Sequence, residues 1–259
     1  AGPLCAGDPK LLTVTGATGV QTFSNPAPIT INTSGPATPY PSNLVVAGLP
    51  VTGASVRSVT ITGLNHTWSS DVDILLQSPS GQNVVLVSDI GSSGDYINRI
   101  YTFDDAAATT MPSTSPPPAS GTYRPTNIGA ADTWIAPGPG AINQATPTLA
   151  TFTGDYNGTW KLFVVDDLGG DGGSITGGYS ITFVTPPSPP PAGWTFLWSP
   201  AAGLSSTTGN PVAASPMTTT TYTVIGTAPR GCQTSAAITI TVNQLPDVVN
   251  NPRDTTECS

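Results

Sequence analysis

Charge is scarce in this chain. Only 8% of its 259 residues are Asp, Glu, Lys or Arg, against about a quarter in an average globular domain. That scarcity excludes disorder driven by charge repulsion and leaves solubility to Ser, Thr, Asn and backbone amides. There is one histidine, His66, so a catalytic triad has a single base to draw on. The seven Lys and Arg residues form no basic patch, which argues against a nucleic-acid partner. No run of about 18 apolar residues exists, so nothing reads as a membrane-spanning helix. Three cysteines, Cys5, Cys232 and Cys258, show no C-x-x-C spacing, which makes zinc and thioredoxin-type chemistry poor readings.

Glycine and proline are abundant, at 28 each. Such punctuation rules out long helices and favours short strands joined by turns. The predicted class is all-β. Strands are expected at LLTVT near the start, at ITI (29–31), RSVTIT (57–62), DILLQS and NVVLVSD around a SPSGQ turn, NRIYTFDD, TWKLFVV and YSITF. Residues 106–148 are long, proline-rich and poor in strand signal, which in a compact domain points to a functional loop. TPPSPPPAG (185–193) reads as a stiff connector that marks a boundary. Beyond it the texture changes to Thr- and Val-rich strands.

Acid is the one charge in surplus. The formal net charge is −8, and of fifteen acidic residues only Glu257 is a glutamate. Eleven aspartates fall between Asp71 and Asp171. Aspartate is a turn residue and also a ligand for hard cations. Asp71 with Asp73, Asp104 with Asp105, and Asp166, Asp167 and Asp171 on a glycine-rich loop form the candidate calcium ligands. Read as strand residues, Asp71 and Asp73 share a face. The competing reading is turn formation and strand capping, and no EF-hand or tandem calcium-repeat spacing is present.

The middle of the chain resembles the P domain (Homo B domain) that follows the catalytic domain of proprotein convertases. The resemblance rests on HTWSSDVDILLQSPSG (66–81), YTFDDAA (101–107), GTYRPTN (121–127) and NGTWKLFVVDDLGGDGGSITGGYSITF (157–183). It implies a jelly-roll sandwich. The tail, from GWTFLWSP to AAITITVN, resembles the immunoglobulin-like or PKD-like repeats of large Bacteroidota surface proteins. The first strand of such a repeat, C-x-G-x-x-x-x-L-T, is missing before Trp194 and stands instead at the N-terminus as CAGDPKLLTVTG.

These resemblances together imply a P-like jelly roll over residues 19–186, inserted into one Ig-like domain made of 1–18 and 192–245. Residues 246–259 would be a linker and the start of a further repeat, since DTTECS resembles GPLCAG. The insertion implies a Cys5–Cys232 disulfide, and in the chain-entropy model a bridge closing a loop of about 60 residues stabilises by several kcal/mol.

Enzymatic readings are weaker. The protease that accompanies convertase P domains is not in this chain, no G-x-S-x-G elbow is present, and His66 sits where the P-domain pattern assigns structure. A glycosidase pair among the aspartates lacks a glutamate acid and an aromatic cleft. Of the five tryptophans, Trp160 and Trp198 sit in strand patterns and read as core. Trp134, in the long loop, is the expected exposed binding residue. Asn32, Asn65 and Asn157 open N-x-S/T sequons, and Asp254-Thr255-Thr256 resembles a Bacteroidota O-glycosylation motif.

The expected function is a non-catalytic adhesin, stalk or fibre module of a secreted or surface protein, calcium-stabilised. Its partners would be neighbouring repeats, or a surface glycan or protein. The alternative is an accessory domain of a secreted hydrolase.

Overall fold

The computed structural model describes residues 4–7, 9–15, 18–129, 131–187, 189–190 and 192–243. The chain divides into two compact units, one built from its two ends, up to Ala17 and from Pro187 onward, the other from Thr18–Pro186. Among the described residues both are all-β, with two single-turn 3-10 helices, Ser69–Asp71 and Leu149–Thr151.

The first described strands are β1 (Leu4–Cys5) and β2 (Lys10–Leu12). The larger unit then supplies β3 (Gly19–Asn25), β4 (Ile29–Ile31), β5 (Gly35–Pro36), β6 (Ser42–Val46) and the long β7 (Ser55–His66). It continues through β8 (Val72–Gln77), β9 (Asn83–Ser88) and β10 (Tyr96–Asp104). Four short strands follow, β11 (Gly121–Tyr123), β12 (Thr126–Asn127), β13 (Asp132–Trp134) and β14 (Gly140–Ile142). The unit ends with β15 (Gly158–Asp166), β16 (Gly173–Ile175) and β17 (Tyr179–Thr185). The last described strands are β18 (Thr195–Ser199), β19 (Val212–Ala214), β20 (Thr220–Thr227), β21 (Gln233–Ile240) and β22 (Val242–Asn243).

Two large sheets and the two-stranded β13–β14 hairpin form the larger unit. One runs β11-β10-β7-β16-β4, with β17 pairing both β7 and β3; the other runs β12-β9-β8-β15, with β5 and β6 both on the far side of β15. Strand alternation explains the packing. Val59 and Ile61 of β7, Ile74 and Leu76 of β8, Leu162 and Val164 of β15, and Ile181 and Phe183 of β17 all enter one core. Trp160, fully buried, meets Phe152 and Phe183 edge-on with centroids 4.9 and 5.7 Å apart, contacts that contribute about 1 kcal/mol each beyond area burial.

The second sheet is covered on its other face as well. Leu75, Val85, Phe163 and Val165 point away from the main core and pack under Trp134 of the β13–β14 hairpin, with Tyr40 and Ile142 alongside. The stretch 106–148 is therefore not a strandless loop. It carries four short strands, of which β11 and β12 run parallel to β10 and β9. Its prolines break up local alternation, and long-range pairing supplies what local pattern lacks.

In the smaller unit, β18, β20 and β21 form an antiparallel sheet, β2 pairs antiparallel with β19, and β1 pairs parallel with β22. Leu12, Trp198, Val212, Ala214, Tyr222 and Ile240 are its core. Trp198 Nε1 donates to the Gly209 carbonyl at 3.0 Å, and the Tyr222 hydroxyl to the Ala202 carbonyl at 2.7 Å.

No disulfide joins Cys5 to Cys232, contrary to expectation. Cys5 lies opposite Asn243, whereas Cys232 precedes the far end of β21. The eight residues of β21 alone span about 23 Å at about 3.3 Å per residue, and a disulfide needs Cα atoms within about 7 Å. Both side chains are exposed. Cys258, with the stretch predicted to begin a further repeat, lies outside the described residues.

Candidate functional site

Topology gathers the acids. β8 runs antiparallel to both β9 and β15, so the start of β8 meets the ends of the other two. The parallel β12 ends beside Ser88, with Asn127 opposite it. Carboxylates on the flanks of these strands therefore share one end of the sheet.

The pleat then divides them between the two faces. Trp160, Leu162 and Val164 point into the main core, and so does Asp166, two residues on. Asp166 is fully buried, and its Oδ2 lies 3.3 Å from His66 Nε2. His66 Nδ1 is 2.7 Å from the Trp68 carbonyl oxygen. Gly173 pairs with His66, and a Cβ there would strike the Asn65 carbonyl and the imidazole, so glycine makes room for the ring. Asp166 Oδ1 accepts from the Leu168 amide, and Asp171 Oδ2 from the Thr67 hydroxyl at 2.7 Å. Burial raises Asp166 above the usual carboxylate range, with His66 opposing the shift. Asp71 is raised by burial too, opposed by a bond from Ser70 and reinforced by the charges of Asp166, Asp167 and Asp171.

The prediction that Asp71 and Asp73 share a strand face fails. Asp71 ends a 3-10 turn, and only Asp73 belongs to β8. Asp73 points outward with Leu75, on the face covered by the hairpin. There it lies within electrostatic reach of Asp89, Asp132 and Asp167. Ser88 is the hub. Its fully buried hydroxyl lies 3.0 Å from Asp132 Oδ2 and 3.4 Å from Asp89 Oδ2. Asp73 is 2% exposed, and its Oδ1 has no hydrogen-bond partner. Burial, followed by the charges of Asp132 and Asp167, pushes Asp73 up to about 9; Ser88 opposes the shift and Asp89 adds to it. Asp132 is pushed up to about 6, first by burial. Asp89 and Asp167 are raised, each chiefly by burial. The sole ion pair among the described residues is His66–Asp166, so no basic side chain offsets this outer group.

Asp104 and Asp105 join neither group. Asp104 Oδ1 accepts from the Ala106 amide. Asp105 accepts from the Thr148 hydroxyl and the Leu149 and Ala150 amides at 2.6, 2.9 and 2.9 Å. It caps the Leu149–Thr151 turn, and both of its oxygens are taken up by these donors.

Trp134 is not a surface residue. It is fully buried against Leu75, Val85 and Phe163, so it holds the hairpin down. Trp68, 44% exposed, is the tryptophan that faces solvent in the larger unit. In the smaller unit a cleft of about 360 Å³ is lined by Val14, Trp194, Phe196, Val224 and Ala236.

As the side chains stand, no three His, Cys, Asp or Glu residues among those described converge tightly enough to enclose a metal ion. The donor chemistry of the outer group nonetheless fits a hard cation, since it is all oxygen and includes an orphaned carboxylate atom. Sequence reasoning missed Asp89 and Asp132, which stand singly, outside any acidic run. The chain matches no family model, no curated protein and no solved structure.

Proposed function

We propose that this chain is a non-catalytic segment of an extracellular or surface-anchored protein, adhesive or structural, with a P-domain-like jelly roll set into an Ig-like sandwich. The observation that carries this reading is the environment of His66. The single histidine has a fully buried side chain, with one ring nitrogen at a backbone carbonyl and the other at Asp166. Neither nitrogen has a Ser, Thr or Cys hydroxyl or thiol as partner. A base held in this way ties strands together, which supports a structural role for it over a catalytic one. The low charge and the Thr-rich strands suit a long-lived extracellular module, and calcium would be its stabilising ion.

A second reading, an accessory domain of a secreted hydrolase, is favoured by the convertase-like run HTWSSDVDILLQSPSG. The full reading frame separates the two. Similar β-sandwich segments on both sides support the stalk or adhesin, and a neighbouring catalytic domain supports the accessory module. Turnover of peptide or glycan libraries by the purified chain would overturn both.

A further inference from the structure

The outer acidic group differs in kind from the one around His66. The inner group contains an imidazole and threonine and backbone donors. The outer group has four carboxylates and, among the described residues, no basic partner. Ser88 has one hydroxyl proton and two carboxylates within its reach, so it can satisfy one of them at a time. A second oxygen is also orphaned here. Asn127, opposite Ser88 on the neighbouring strand, has a buried Oδ1 with no partner. Two unpartnered oxygens of different chemical type, on β8 and β12, sit at the same end of one sheet. Buried polar atoms of this kind are rare in folded proteins and call for a specific occupant.

We propose that Asp73, Asp89, Asp132 and Asp167, with Asn127 Oδ1, bind one hard divalent cation of the calcium class on the outer face of this sheet. The site rests on the calcium part of the reading above but differs in place. It excludes Asp71, Asp166 and Asp171 and recruits Asp89 and Asp132, which no sequence motif marks. Calcium takes about six to eight oxygens in an adaptable shell, and carboxylates bind it through one or both atoms. Magnesium requires a tighter octahedron and holds its waters, which suits a buried Asp73 poorly. Asp73 supplies the fixed floor, since β8 and the hairpin hold it. Asp89 and Asp132 are half-buried and Asp167 is exposed, so these three form a rim that can close on an ion arriving from solvent. The cation would join β8, β9, β13 and the end of β15, staples that the short pairing of β13 with β14 does not itself provide.

The test uses the full chain, stripped with chelator and titrated with calcium chloride, followed by thermal melting and calorimetry. Saturating calcium is expected to raise the melting midpoint of the larger unit by roughly 5 °C. Asp132→Asn and Asp73→Asn should each weaken binding by about tenfold or more, while Asp171→Asn leaves it unchanged. Asp132 and Asp89 are half-buried, so Asp132→Asn and Asp89→Asn keep the comparison valid if Asp73→Asn does not fold. The proposal is overturned by the absence of both a midpoint rise and binding heat, or by binding that Asp171→Asn removes and Asp132→Asn leaves intact. Either failure leaves the non-catalytic reading standing, because that reading is decided by the reading frame and the turnover assays.

Discussion

His66 Nε2 lies 3.3 Å from Asp166 Oδ2, with both side chains shut off from solvent. The pair links the end of β7 to the end of β15 and so joins the two sheets of the larger unit. A shorter contact, 2.7 Å from Nδ1 to the Trp68 carbonyl oxygen, holds the other side of the ring to the turn that follows β7. His66→Ala leaves the Asp166 carboxyl buried without that partner. Such a loss costs about 3 kcal/mol. Urea unfolding monitored by tryptophan fluorescence should show a lower midpoint with an unchanged slope, and a midpoint equal to wild type would count against the linkage.

The outer carboxylates make stability depend on pH in a definite direction. Asp73 is pushed up to about 9 in the fold, against about 3.9 for an unfolded aspartate. The folded state therefore holds a proton that the unfolded state has released. Stability from this group is fully present below about pH 4 and declines as pH rises toward 9. Asp132, pushed up to about 6, adds a decline over the lower part of that range. In chelator, the melting midpoint of the larger unit should fall between pH 5 and pH 8, and Asp73→Asn should flatten that slope. The inward Asp71 and Asp166 are raised as well and act in the same direction, so a midpoint that rises across the same interval would overturn the assignment.

Trp134 anchors the hairpin over the second sheet. Its replacement by alanine opens a cavity against Leu75, Val85 and Phe163, a change that costs about 4 kcal/mol. Trp68, 44% exposed, makes the control, and Trp68→Ala should stay within about 0.5 kcal/mol. Iodide should quench Trp68 and spare Trp134. Equal quenching of the two would mean that the hairpin does not cover the sheet.

The capping role of Asp105 separates it from its neighbour. Asp105→Ala removes the acceptor for three donors at Leu149–Thr151 and should cost about 1–2 kcal/mol. Asp104→Ala loses a single bond to Ala106 and should cost less. Chemical denaturation of the two variants orders them, and calcium should affect neither difference.

Much of the fold was legible because β-strands announce themselves locally. RSVTIT alternates, and YSITF alternates, because one face of each strand meets the core and the other meets water or a thinner cover. DILLQ and KLFVV read as unbroken apolar runs because both faces of β8 and β15 are covered, one by the main core and one by the hairpin. The long stretch 106–148 was harder. Its strands are two or three residues long, too short for any period to show; β11 and β12 exist by pairing with β10 and β9, and β13 and β14 by pairing with each other.

The sequence by itself determined the all-β class, the strands of the larger unit and the collection of aspartates at one stretch of chain, because alternation, turn residues and composition are local properties. Only the tertiary structure decided which aspartates belong together. Asp166 and Asp167 are neighbours in the chain, yet the pleat sends one inward to His66 and the other outward toward Asp73. Asp89 and Asp132, distant in sequence, meet at Ser88 because β9 ends where the hairpin begins its cover. It also decided the burial of Trp134, the separation of Cys5 from Cys232 along β21, and the use of Asp105 as a cap. Each depends on what packs against a residue from far along the chain.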